Sequence, residues 1–204
     1  MALFPVFLRL EGRRCVVVGA GKLAELKIAG VLRAGARVLV VAPSATRRIA
    51  QWSREHTIRW TRRKFHAPDL ARAFLVIAAT GLADVNACVF HAARRRNIPC
   101  NAVDDPAHCD LFYPAVLRRG PFQIAISTGG ASPALARRLR QEFDRLFSAQ
   151  FGEWVEHLVE ARKKIFAQNL PLARRRQILR RIATPSQFRA FLENPVQSVR
   201  AKVQ

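Results

Sequence analysis

The fold is decided by residues 15–24, CVVVGAGKLA, where a short apolar run meets a glycine-rich turn. Residues 15–18 are β-branched apart from the cysteine, which is typical of a strand buried on both faces. Gly19 and Gly21 interrupt this run, and apolar residues then recur at helical spacing until Gly35 ends the helix. The order of strand, glycine turn and helix predicts the first unit of a nucleotide-binding sheet.

The alternation of strand and helix continues to residue 103. Further strands are predicted at residues 38–41, 58–60, 75–79 and 100–103. Helices are predicted between them, including one capped by Ser44 and one over residues 85–93. Repeated βα units of this length indicate an α/β fold with a Rossmann, doubly wound parallel sheet.

Beyond residue 108 the pattern changes. Residues 111–117 and 122–126 are strand-like and flank RRGP at 118–121, which predicts a hairpin. Ser132 before Pro133 favours a helix start, and helices are expected at 133–148, 151–168, 171–183 and after Pro185. We therefore expect a Rossmann domain at 1–108, a hairpin and helix at 109–148, and a small helical C-terminal domain at 149–204.

Composition excludes several classes of protein. Hydrophobic residues make up 50% of the 204, which is enough for a full core. No apolar run approaches the roughly 20 residues of a membrane span, and the first residues lack a secretory leader, so we expect a cytoplasmic protein. The four cysteines and five histidines lack metal-ligand spacing, so no metal site and no disulfide framework is expected.

The charge balance is strongly basic, with 35 Lys and Arg against 14 Asp and Glu, or +21. Such a charge attracts polyanions, which include nucleic acid, membrane surfaces and polycarboxylate substrates. A solvated, arginine-rich surface is the alternative explanation. The charge alone does not choose between them.

Residues 19–24 fit the dinucleotide-binding pattern G-x-G-x-x-A in the required place between strand and helix. Gly19 permits the tight turn, Gly21 lets the backbone approach a pyrophosphate, and Ala24 allows the helix to pack closely on the strand. The helix N-terminus offers free N–H groups to the phosphates. Lys22 and Leu23 are expected over the pyrophosphate and ribose.

The acid that usually holds the adenine ribose is missing, because the second strand is followed by Pro43 and Ser44. Ser44 can bond the ribose instead, whereas Arg47 and Arg48 would favour a 2′-phosphate, so the residues leave NAD and NADP both open. Thr80 follows a central strand at the ligand-binding edge of the sheet. It is expected either to contact the cofactor or to cap the next helix.

Two further features suggest chemistry. Asp104 follows a strand on the same edge as the glycine turn, where a carboxylate can take a proton while hydride leaves; the alternative is an ordinary Asp-Pro turn. The loop at residues 127–133 is rich in hydroxyls and backbone N–H groups, which suits an anion. Its candidate residues are Ser127, Thr128, Gly129, Gly130 and Ser132, although a capped connector between strand and helix explains them equally well.

Over residues 1–150 the chain resembles the precorrin-2 dehydrogenase family of siroheme-synthesis enzymes. The motifs that carry the resemblance are FPVF (4–7), VVVGAG (16–21) with Ala24, Glu25 and Lys27, GA (35–36), VVAP (40–43), AAT (78–80), VN (85–86), CNAVD (100–104), PA (114–115) and IAISTGGASPALA (124–136). Two departures from the family pattern are Leu26, where Arg is usual, and Gly81-Leu82, where acids are common.

The resemblance implies NAD-dependent oxidation of precorrin-2, a tetrapyrrole with eight carboxylates, to sirohydrochlorin. Asp104 matches the family's catalytic acid, which in bifunctional members also assists insertion of ferrous ion. Lys22, Leu23, Pro43 and Ser44 match positions that bind NAD, and Thr128 falls where some members carry a phosphorylatable serine. The resemblance also implies a homodimer in which the strands and helix of residues 109–148 take part. The candidate surfaces are the hairpin at 111–126 and the apolar faces after Phe151. Neither nucleic acid nor a membrane is expected as a partner.

Two rival functions remain at this stage. A redox-sensing regulator would use the Rossmann unit to report NAD status and the basic tail to contact DNA, but the sequence lacks a clear helix-turn-helix and leaves Asp104 without a role. An NADP reductase of another acidic substrate is the second rival. Sequence-selective DNA binding would favour the first, and nucleotide preference would identify the second.

Overall fold

The structure is a computed structural model, which describes residues 3–193. The chain forms two compact units, of which one spans Phe4–Tyr113 and the other begins at Pro114. The strands of the first unit are β1 (Arg14–Val18), β2 (Arg37–Val41), β3 (Arg59–Thr61), β4 (Leu75–Ala78) and β5 (Cys100–Ala102). Its helices are α1 (Lys22–Arg33), α2 (Arg47–Arg54) and α3 (Ala83–Arg94), with short 3-10 turns at Ala67–Leu70 and Pro106–His108.

The five strands form one parallel sheet in the order β3-β2-β1-β4-β5. Strand β1 lies at the centre, and its valines are buried because apolar side chains cover both faces of the sheet. Ala24 and Ile28 of α1 are fully buried on one face, and Val89 and Phe90 of α3 pack on the other. The predicted doubly wound α/β sheet is confirmed, and its parallel strands bring their carboxyl ends to one edge.

Two local predictions in this unit were wrong. Ser44 does not cap α2, because the helix begins at Arg47 and the Thr46 hydroxyl accepts the Ile49 N–H at 3.4 Å. Residues 111–114 are not strand, because the chain there is bonded back to β5. The Asp110 N–H donates to the Cys100 carbonyl at 2.8 Å, and the Asn101 side chain donates to the Leu111 carbonyl at 2.9 Å.

The second unit contains the predicted hairpin and helices. Strands β6 (Ala115–Arg119) and β7 (Phe122–Ile126) are antiparallel, and the turn is shorter than expected, since Arg118 and Arg119 belong to β6. The helices are α4 (Pro133–Leu146), α5 (Ala149–Ala167), α6 (Leu172–Ile182) and α7 (Pro185–Glu193). Ser132 caps α4 as predicted, accepting the Leu135 N–H at 3.2 Å. The predicted C-terminal domain extends to 204, but residues 194–204 lie outside the described residues.

An aromatic cluster forms the core of the second unit. Phe151 lies at its centre, with ring centroids of Phe122, Phe147 and Trp154 at 4.8, 4.9 and 5.3 Å. Phe188 of α7 adds a further edge contact at 5.1 Å. These rings join the hairpin to three helices, so the sequence after the sheet folds around its own core.

Cys15 and Cys100 are buried free thiols, as their apolar surroundings predict. None of the helices within residues 3–193 combines the length and the apolar character that crossing a bilayer requires.

Candidate functional site

The glycine turn after β1 is held between the ends of two neighbouring strands. Gly19 has φ +104, and its N–H donates to the Val41 carbonyl at 2.9 Å. A Cβ at this position would lie 2.2 Å from the Ala79 carbonyl oxygen, closer than any side chain tolerates. Glycine is therefore required here by both backbone conformation and space.

The second glycine of the turn faces open space. Gly21 is exposed, and a Cβ added there would meet nothing within 4 Å. It is the N-cap of α1 and provides no side-chain acceptor for the amides of the first helical turn. Those N–H groups and the positive end of the helix dipole suit a pyrophosphate. Lys22 and Leu23 are exposed beside them.

The segment after β2 exposes the side chains that both predicted modes of ribose recognition would use. Pro43 and Ser44 are exposed, and the Ser44 hydroxyl makes no hydrogen bond to another described residue. Arg47 and Arg48 are also exposed in the first turn of α2, where the Arg48 guanidinium lies 5.0 Å from the Trp52 ring centroid. The hydroxyl and the guanidinium groups are therefore both accessible to a nucleotide.

Thr80 is engaged in the turn before α3. Its hydroxyl lies 2.8 Å from Asn86 Oδ1 and accepts the Leu82 N–H at 3.1 Å. Asn86 is buried and also accepts the Thr80 N–H, although the sequence analysis gave it no role. A polar residue in the buried face of a helix was the signal that could have identified it. Contact between Thr80 and a cofactor stays a prediction.

Asp104 is exposed in the loop after β5, at φ +62. The Val103 N–H donates to the Ala78 carbonyl at 2.8 Å, which ties the loop to the end of β4. Below it, the Cys109 thiol donates to the Ala102 carbonyl at 3.1 Å and accepts from the Asn101 side chain at 3.2 Å. These bonds hold in place a residue whose backbone conformation is uncommon for a non-glycine residue.

The two adjacent acids of this loop differ in their partners. Asp105 Oδ2 lies 2.6 Å from His108 Nδ1, and the His108 ring packs edge-on against Phe90 and His91. His108 is thus occupied by Asp105 and by its aromatic neighbours. Among residues 3–193, Asp104 has neither a side-chain hydrogen bond nor an ion pair within 4.0 Å, so its carboxylate is available to a substrate.

Lys27 of α1 was quoted in the family motif but not predicted as a site residue. Burial lowers the pKa of its ammonium, while the negative charge of Asp104 acts in the opposite direction. The signal in the sequence was a lysine three residues after Ala24, beside the buried stripe of the helix.

The loop at residues 127–133 uses its hydroxyls internally. Thr128 Oγ1 accepts the Ser132 N–H at 3.0 Å, and Ser127 Oγ accepts the Gly129 N–H at 3.2 Å. Gly129 and Gly130 both have positive φ and open space where a Cβ would be. The loop is therefore a capped connector in its internal bonding, and anion binding there stays a prediction.

Comparison with known proteins gives two family matches. Residues 6–115 match a family described as "Putative NAD(P)-binding", and residues 119–146 match "Sirohaem biosynthesis protein central". The siroheme synthase of Methylococcus capsulatus is 40% identical over 87% of this chain, and that of Methylobacillus flagellatus is 36% identical over 98%. The chain spans only 37% and 40% of the length of these two curated relatives.

Among solved structures, "SirC, precorrin-2 dehydrogenase" matches with a TM-score of 0.77 at 29% identity. The match covers 94% of this chain and 98% of that one, so it extends over both compact units. The resemblance drawn from the sequence motifs is confirmed. The prediction of a nicotinamide dinucleotide as cofactor is confirmed, whereas the individual residues assigned to it stay predictions.

Proposed function

Because this chain belongs to the NAD(P)-binding family, we propose that it oxidises precorrin-2 to sirohydrochlorin with NAD+, a step of siroheme biosynthesis. The observation that carries the proposal is the exposed Asp104 carboxylate at the same sheet edge as the turn of Gly19 and Gly21. The likeness of nearly the whole chain to a precorrin-2 dehydrogenase supports it.

The reaction removes a hydride and a proton from the tetrapyrrole. When bound, the nicotinamide supplies the hydride acceptor. The open backbone at Gly21 and the amides of the first turn of α1 would hold the pyrophosphate, with Lys22 and Leu23 beside it. Asp104 then acts as the general base, because its carboxylate is exposed and makes no ion pair in the described chain.

We assign the ribose contacts to Pro43 and Ser44, which makes NAD the preferred nucleotide. Ser44 supports this assignment because Thr46 caps α2 and the Ser44 hydroxyl is left for a ligand. Thr80 would complete the nucleotide site through the turn that it forms with Asn86. If NADP were preferred, Arg47 and Arg48 would bind its 2′-phosphate. Faster turnover with NAD+ than with NADP+ would favour Ser44 as the ribose contact, and the reverse would favour the two arginines.

We assign substrate carboxylates to the loop containing Ser127, Thr128, Gly129, Gly130 and Ser132. Its two glycines leave open space beside the backbone. Phosphorylation of Thr128 would remove the hydroxyl acceptor of the Ser132 N–H, because the modified oxygen would be crowded by the phosphate.

Insertion of ferrous ion into sirohydrochlorin is tested by adding Fe²⁺ or Co²⁺ to the product, with and without protein.

We further propose a homodimer located in the cytoplasm. Among the described residues, the sheet of the second unit has two strands, so each strand has one edge without a partner strand there. An isolated hairpin is marginally stable, and open edges favour pairing with another strand. Addition of a second copy across a two-fold axis would pair these edges. Sedimentation at micromolar concentration tests the dimer.

An anaerobic assay with precorrin-2 and NAD+ tests the main proposal by following the visible absorption of sirohydrochlorin. Asp104→Asn should abolish turnover and retain nucleotide binding, whereas Glu55→Gln, which removes an exposed carboxylate at the end of α2, should keep wild-type activity. Nucleotide binding without product in the wild type would contradict the proposed reaction. Full activity of Asp104→Asn would remove Asp104 from its role.

A further inference from the structure

Lys27 is held against an aromatic ring. It lies on α1 directly before the fully buried Ile28, and its side chain is half-buried. The ammonium nitrogen is 3.7 Å from the centroid of the Tyr113 ring, a close cation–π contact. Lysine side chains on a helix surface normally extend into water, so this one is kept at the site at a desolvation cost.

Tyr113 is itself fixed. Its residue surface is 41% exposed, yet burial raises the pKa of the phenol, with further contributions from Cys15 and Cys100. The exposure of the residue and the burial of its phenol are consistent if the hydroxyl points into the protein, towards the two buried thiols, while part of the ring is exposed to solvent. The Lys27 ammonium lies over one face of this ring.

The Lys27 ammonium and the Asp104 carboxylate influence each other electrostatically but do not form an ion pair. Tyr113 follows residues 110 and 111, which are hydrogen-bonded to Cys100 and Asn101 of β5, and Asp104 follows the same strand. The contact with Tyr113 therefore brings Lys27 to the loop that carries Asp104. In agreement with this, the charge of Asp104 raises the pKa of Lys27, although the larger effect of burial lowers it. No ion pair of 4.0 Å or less joins them within residues 3–193. A partly desolvated cation therefore stands beside the proposed base without a carboxylate in contact.

Building on the proposed function, we propose that Lys27 is a substrate-binding residue that receives one side-chain carboxylate of the tetrapyrrole. A substrate that presents a carboxylate to Lys27 and an acidic ring proton to Asp104 meets a cation and an anion in fixed positions. The pair thereby orients the macrocycle, because reversing the substrate would place like charges together. The carboxylate also replaces the hydration that Lys27 loses through burial.

The test uses the full chain with Lys27→Met and Lys27→Arg, and Arg95→Met as the charge-matched control. Arg95 is an exposed residue at the C-cap of α3, at the opposite end of the helix from the ligand-binding edge. Lys27→Met should raise KM for precorrin-2 about tenfold or more with a smaller change in kcat, as expected when a ground-state contact is lost. Lys27→Arg should recover most of this loss, and Arg95→Met should resemble the wild type.

Nucleotide affinity separates this role from a cofactor role. Binding of NAD+ to Lys27→Met should be unchanged, and weakened binding would overturn the proposal by assigning Lys27 to the nucleotide. An unchanged KM for precorrin-2 would overturn it as well. If Lys27→Met does not fold, Tyr113→Leu removes the supporting ring and should raise the same KM, while Tyr113→Phe should not. A wild type inactive on precorrin-2 would instead refute the proposed function.

Discussion

A Cβ added at Gly19 would lie 2.2 Å from the Ala79 carbonyl oxygen, whereas one added at Gly21 would meet nothing within 4 Å. Gly19→Ala should therefore lower the free energy of unfolding by roughly 1–3 kcal/mol from overpacking alone. Gly21→Ala creates no such clash and should cost only the difference between Gly and Ala as an N-cap, about 1 kcal/mol or less. It should weaken NAD+ binding, because its methyl group enters the space proposed for the pyrophosphate. Urea denaturation and NAD+ titration of the two variants measure this contrast. Wild-type affinity in Gly21→Ala would contradict the placement of the nucleotide.

Asp69 predicts a pH-dependent contribution to stability. Its carboxylate accepts two hydrogen bonds from Arg63, at 2.6 and 2.8 Å, and one from the His66 N–H at 2.9 Å. The Arg63 bonds are the main reason that the pKa of Asp69 is lowered in spite of burial. Because the folded pKa is lowered, this stabilisation is complete above the ordinary aspartate value of about 4 and is lost as pH falls through the folded pKa.

Asp69→Asn should lower the free energy of unfolding at pH 7 by about 1–3 kcal/mol, since a charged acceptor is lost at a nearly buried site. The difference from the wild type should shrink as pH falls below about 4. Urea denaturation at pH 7 and pH 3 provides the comparison. An equal difference at both pH values would show that packing rather than charge is responsible.

At the scale of one element, the start of α2 gives a prediction that separates folding from binding. Thr46→Ala removes the cap of the Ile49 N–H and should cost about 1 kcal/mol of stability with little effect on nucleotide affinity. Ser44→Ala should do the reverse, because Ser44 lies outside the helix and is proposed to contact the ribose. Thermal unfolding and NAD+ titration of both variants are the measurements. A loss of stability in Ser44→Ala would indicate that Ser44, rather than Thr46, caps α2.

The elements were predictable where one local pattern determines them. Strand β1 and helix α1 follow from an apolar run, a glycine turn and helical spacing, and Ser132 with Pro133 predicts the start of α4. Ser44 and Thr46 are both acceptable caps, and the choice depends on where the backbone turns, which a sequence does not state. Residues 111–114 were harder still, because hydrogen bonds across ten residues outweigh their strand-like composition. The Asn101 side chain donates to the Leu111 carbonyl, and the Asp110 carboxylate accepts the Cys100 N–H.

In the candidate site, too, residues in a local sequence motif were predictable, whereas a residue that depends on contacts distant in the sequence was not. The motif at Gly19 and Gly21 indicated the nucleotide, and position after a strand indicated Asp104. Lys27 was not recognised, because its role depends on Tyr113, which is 86 positions later in the sequence, and on the loop after β5. Charged groups that meet only through the tertiary fold cannot be found from spacing along one helix.

The charge of the whole chain, +21, predicts how the proposed reaction responds to salt. A cationic surface raises the local concentration of an anionic substrate, and salt screens this attraction over a Debye length of about 8 Å at physiological ionic strength. Precorrin-2 carries eight carboxylates and NAD+ far fewer charges. Raising NaCl from 0.05 to 0.5 M should therefore lower kcat/KM for precorrin-2 by about tenfold or more, and that for NAD+ by much less. Steady-state kinetics with each substrate varied in turn, at constant pH, make the comparison. Equal sensitivity of both substrates would indicate a general salt effect on the protein, and the arginine-rich surface would then have no part in attracting the tetrapyrrole.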